Sequence, residues 1–136
     1  MKKQFVPYSI ALALKELGFD EPCMKHVQGN TFDVNSTSVN ECVPVLAENF
    51  NAKTDCVSLP LWQQVEEWFR EKHELQINIT WNRFYFETPY EYEVRPTWKE
   101  GLRPYGYGGM RKTYEEAREA AILEAIKLVK EKNENN

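Results

Sequence analysis

The chain has 136 residues, 42% of them hydrophobic and 13% aromatic, which is enough apolar material for one core and argues against a disordered chain. Seventeen Lys and Arg against twenty-one Asp and Glu leave a net charge of -4, so no global basic field draws in nucleic acid or an anionic membrane. The three cysteines, Cys23, Cys42 and Cys56, are an odd set without tight spacing, which fits free thiols in a reducing compartment.

Lys2 and Lys3 precede a short apolar stretch, but Pro7, Tyr8 and Ser9 interrupt it, Lys15 and Glu16 end it, and no small-residue cleavage pattern follows. No run is long and apolar enough to span a bilayer, so the expectation is a cytoplasmic protein with no membrane association. Pro7 suits a first helical turn, and Ile10, Ala13, Leu14 and Leu17 share one stripe before Gly18, which predicts a helix over Pro7 to Leu17. Asp20-Glu21-Pro22 is a turn, and residues 23–27 form a short strand that enters a hairpin through Gly29-Asn30. Residues 28–57 read as a polar loop or insertion with one strand near Val43 to Leu46.

Ser58, as a cap, and Pro60, in the first turn, introduce a second helix running to His73, with Leu61, Val65, Trp68 and Phe69 on its apolar face. Gln76 to Trp81 alternates as a half-buried strand. A further alternation places Phe84, Phe86, Thr88, Tyr90, Tyr92 and Val94 on one face, with Pro89 marking an edge, a bulge or a break. Lys99-Glu100-Gly101 turns the chain into a third strand over Tyr105 to Met110. Thr113-Tyr114-Glu115-Glu116 is a capping box, opening a last helix that ends in a Lys-rich turn, with residues 131–136 expected to fray. The expected fold is a single α+β domain over residues 1–136. In it a small antiparallel sheet of three to four strands carries two to three helices on one face.

Catalytic motifs are not apparent. Cys23 and His26 with Cys42 and Cys56 supply soft ligands, but zinc sites use two close pairs, so buried thiols and an ordinary histidine are expected and no metal or cofactor. Glu87, Glu91 and Glu93 alternate as the solvent face of a strand does, which competes with any paired-carboxylate reading. Gly106-x-Gly108-Gly109 is not a phosphate loop, because Met110, Arg111 and Lys112 intervene before the helix.

Residues 69–112 hold eight Lys and Arg against six Glu, interleaved with aromatics. Base-stacking sheets need that combination, which makes Arg83, Tyr85, Arg95, Arg103 and Arg111 candidate nucleic-acid contacts. The order helix, three strands, helix is also that of double-stranded RNA-binding domains, but Glu115 and Glu116 stand where such domains present lysines, so nucleic acid is the disfavoured alternative. Trp98, Tyr105 and Leu123 are candidate contacts for a protein partner or for self-association.

Three blocks also carry a family resemblance: Gln4 to Tyr8 continuing through Leu17-Gly18-Phe19-Asp20-Glu21-Pro22-Cys23, Pro60 to Val65 continuing through Trp68 to His73, and Thr113 to Ala117 with its Ala-rich helix. Together they resemble a family of small uncharacterised proteins encoded by phages, prophages and mobile elements of gut Bacteroidales bacteria. The resemblance implies a cytosolic α+β protein with no assigned activity, cofactor or catalytic residue. The function expected is that of a non-enzymatic accessory or protein-interaction protein.

Overall fold

A computed structural model describes residues 4–28, 41–42, 47–98 and 107–135. Element order is α1 (Tyr8–Glu16), β1 (His26–Gln28), β2 (Glu41–Cys42), a 3-10 turn (Phe50–Ala52), β3 (Cys56–Ser58), α2 (Trp62–His73), β4 (Leu75–Trp81), β5 (Tyr90–Pro96), β6 (Tyr107–Arg111) and α3 (Tyr114–Glu134). The class is α+β, and the strands form two antiparallel three-stranded sheets, ordered β2-β1-β3 and β4-β5-β6. The chain divides into two compact units, residues 1–65 and 66–136. Among the described residues no helix is long and apolar enough to cross a membrane.

In the first unit, α1 starts after the extended Pro7 and buries Ile10, Ala11 and Leu14. Its end is a Schellman turn: Phe19 N–H donates to Leu14 O at 2.9 Å and Gly18 N–H to Lys15 O at 3.0 Å. The turn needs a left-handed residue after the helix, and Gly18 supplies it with φ of 91°. Lys15, in the last turn, donates from Nζ to Lys53 O at 3.0 Å and Cys56 O at 2.6 Å. Asn51 donates from Nδ2 to Phe19 O at 2.9 Å, and its Oδ1 accepts from Ser58 N–H at 2.8 Å. Polar side chains thus hold the irregular chain around the 3-10 turn against α1 and β3. Ser58 does not cap α2: it ends β3, fully buried, with its Oγ accepting from Phe50 N–H at 3.1 Å. The hairpin tip at Gly29-Asn30 and the strand expected near Val43 to Leu46 lie outside the described residues, whereas β2, the 3-10 turn and β3 occupy parts of the stretch expected to be a polar loop.

In the second unit, β5 is central and pairs with β4 from Leu75↔Pro96 to Trp81↔Tyr90, and with β6 from Tyr90↔Arg111 to Val94↔Tyr107. The register puts Leu75, Ile77, Ile79, Tyr92 and Val94 on one face, where α3 packs across all three strands. α3 contributes Ala117, Ala121, Ile122, Ala125, Leu128 and Val129 to this buried layer. Thr113 Oγ1 accepts from Glu116 N–H at 3.1 Å, so the helix starts at the expected cap. Helical geometry runs to Glu134, past the start of the stretch expected to fray, and Asn135 N–H still donates to Glu131 O at 3.2 Å.

Candidate functional site

The alternation expected over 84–95 breaks at Pro89. The strand starts only at Tyr90, and residues 82–89 are a loop between β4 and β5. Asn82 shapes it from both sides. Its N–H donates to Pro89 O at 2.6 Å, closing the neck, while its carbonyl accepts from Tyr85 N–H at 3.3 Å. Its Oδ1 also accepts from Phe84 N–H at 3.1 Å, an Asx turn that sets the tip.

This loop and the last residue of β4 present aromatic rings to water. Trp81 is 63% exposed, Phe84 76%, Tyr85 52% and Phe86 93%. Fully burying an aromatic side chain removes about 150–250 Å² from water, so these four leave roughly 500 Å² of ring surface open. The largest apolar patch on a typical monomer is itself about 300–600 Å² and is often a functional contact. The Arg83 guanidinium lies 5.4 Å from the Phe84 ring centroid, and Glu87 balances its charge in the loop.

The residues expected to bind nucleic acid do not converge on one sheet face. Arg83 and Tyr85 are in the loop. Arg95, on the face opposite α3, donates from Nε to Glu93 Oε1 at 2.9 Å. Arg111 lies by register on the α3 side, its guanidinium 5.3 Å from the Tyr92 ring centroid and its Nη1 donating to Met110 O at 2.8 Å. Arg103 is outside the described residues. The face opposite α3 carries Gln76, Asn78, Thr80, Glu91, Glu93 and Arg95, with no aromatic among these to stack a base. Tyr90 and Tyr92 are on the α3 side instead. The acidic start of α3, Glu115 and Glu116, is exposed as the sequence implied.

Of the expected partner contacts, Leu123 is exposed on α3, Trp98 is half-buried with Lys132 Nζ 4.1 Å from its ring centroid, and Tyr105 lies outside the described residues. The Trp81–Phe86 cluster as an exposed patch was missed by sequence reasoning, although Asn82 and Pro89 were the turn signals that could have found it.

Cys23 and Cys56 are buried free thiols. Burial pushes Cys23 up to about 11, so the sulfur stays protonated at neutral pH and is a poor nucleophile or ligand. Its Sγ donates weakly to Glu21 O at 3.5 Å. His26 stacks on Phe50 with centroids 3.8 Å apart. Among the described residues no three His, Cys, Asp or Glu side chains come together as metal ligands. Comparison with protein-family models, with curated proteins and with solved structures finds no match.

Proposed function

We propose that the chain is a non-enzymatic interaction protein of phage or mobile-element origin, acting in the cytoplasm, with the β4–β5 loop as its contact for a protein partner. The observation that carries this reading is the cluster of four exposed aromatics within six residues, held on a hydrogen-bonded loop. Rigid rings on an ordered turn lose little conformational freedom on docking, which is why aromatic anchors dominate protein contacts. Trp81, Phe84, Tyr85 and Phe86 suit an apolar cleft, and Arg83 and Glu87 suit its polar rim. The family resemblance supports the mobile-element part of the reading, and the odd, widely spaced set of three cysteines supports the cytoplasmic part.

A photo-crosslinking side chain at Phe86, in the producing cells, is expected to trap one discrete protein, whereas the same group at the exposed Gln76 traps none. The Phe84→Ser/Phe86→Ser double variant, folded by circular dichroism, is expected to lose that partner in a purified binding assay. Equal trapping from both positions would overturn the reading, and trapping of nucleic acid at Phe86 would replace it with the nucleic-acid alternative.

A further inference from the structure

α3 has a second face. Opposite its buried side, Glu116, Glu119, Leu123, Lys127 and Lys130 are all exposed. At roughly 100° per residue they fall within about 40° of Leu123, forming one narrow stripe. Leu123, itself 50% exposed, sits where the charge changes sign: Glu116 and Glu119 precede it and Lys127 and Lys130 follow, with Glu134 on the same line at the helix end.

The spacing of these charges is symmetric. Glu119 and Lys127 are each four residues from Leu123, and Glu116 and Lys130 are each seven. A two-fold axis at Leu123, perpendicular to the helix, therefore brings the acidic half of the stripe in one copy, Glu116 and Glu119, alongside the basic half of another, Lys127 and Lys130, about 6 to 10 Å along the helix from the axis given a rise of about 1.5 Å per residue. Parallel alignment would set like charge on like. A groove of about 510 Å³ runs along the stripe: it shares Glu116, Glu119, Leu123 and Lys127 with it and adds Tyr92, Arg111 and Glu124 to its lining. Its acidic balance and apolar lining suit a lysine, whose stem packs while its ammonium meets a carboxylate.

We propose that this stripe is a self-complementary interface, through which two copies of the chain associate with α3 antiparallel on α3 about Leu123. The stripe shares no residue with the aromatic loop. Exposed ion pairs contribute little each, and a one-helix contact belongs to the small, transient class of interfaces, so the expected association is weak and salt-sensitive.

Sedimentation equilibrium of the full chain, from about 10 μM to about 1 mM, reads this directly. The native sequence is expected to show a monomer–dimer equilibrium that weakens about tenfold between low salt and roughly 0.5 M salt. Glu119→Lys and Lys127→Glu are each expected to stay monomeric, because each places like charges opposite one another. Mixing the two variants restores complementarity and is expected to give a heterodimer, and the doubly swapped Glu119→Lys/Lys127→Glu chain is expected to dimerise on its own. Circular dichroism confirms that every variant is folded. A native chain monomeric throughout, single variants that dimerise undiminished, or a mixture that stays monomeric would each overturn the proposal.

Discussion

Replacing Gly108 by alanine tests the geometry of the second sheet at its tightest point. A Cβ at Gly108 falls inside contact distance of the Tyr92 carbonyl oxygen, with Tyr92 C at 3.4 Å and Glu93 Cα at 3.5 Å. Those are backbone atoms of β5, the central strand, which is paired on both sides and covered by α3. β5 therefore cannot yield, and β6 must either withdraw, losing one or two ladder bonds at about 1 kcal/mol each, or stay and absorb overpacking strain of about 1–3 kcal/mol. Both routes lead to a loss of about 2 kcal/mol. For a chain of this size that is a fall in Tm of roughly 8 °C. Gly109 is the internal comparison: a Cβ there meets Tyr92 Oη at 2.9 Å and ring carbons at 3.0 and 3.1 Å, the outer part of a side chain rather than backbone. Thermal and urea denaturation followed by circular dichroism should rank Gly108→Ala below Gly109→Ala, with both below the native chain. An unchanged midpoint for Gly108→Ala, or the reverse ranking, would refute the reasoning.

Three further outcomes are expected. Gly18→Ala keeps open space around the new methyl but forces a left-handed backbone on alanine, and should lower stability by about 1–2 kcal/mol in the same denaturation experiment. Thr113→Ala removes the acceptor for Glu116 N–H and should destabilise by about 1 kcal/mol, with Thr113→Ser recovering most of it. Burial, and secondarily Lys132, hold His73 below its ordinary 6.5. The unfolded chain therefore takes up the proton first, and stability falls as pH drops below about 6.5. Burial raises Glu66, outweighing Arg118 and Arg70, so its linkage has the opposite sign. In a Glu66→Gln background, the remaining slope in urea midpoints between about pH 7 and pH 5 should flatten on adding His73→Gln, and a slope unchanged by that second substitution would count against this assignment.

What was legible in the sequence is what is decided locally. The Thr113 cap, the glycine stop at Gly18 and the alternation that puts Ile77 and Ile79 on the α3 side depend on a few neighbouring residues, and each holds in the structure, whereas Trp81, in phase with them, is 63% exposed. Ser58 misled because Ser58-Leu59-Pro60 also satisfies a helix start. Its Oγ is instead used by Phe50 N–H eight residues back, a partner no local window contains. Phe84, Phe86 and Thr88 misled because their period of two continues that of Tyr90, Tyr92 and Val94 in phase. Pro89 breaks that run, and the hydrogen bonds at Asn82 fold residues 82–89 into a loop. The division of short strands into two sheets is likewise set by pairings distant in sequence, such as Val27 with Val57, which composition and periodicity do not encode.

The aromatic loop also makes the protein its own spectroscopic probe. Of the four tryptophans, Trp62 and Trp68 are buried and Trp98 lies under Lys132, which leaves Trp81, at the foot of the loop, in the most aqueous setting. Its emission is expected to be the reddest of the four and the one a soluble collisional quencher reaches most readily. Occupation of the loop is therefore readable without a label, as a blue shift and a loss of quenching in that component alone, while the two buried indoles report on the core.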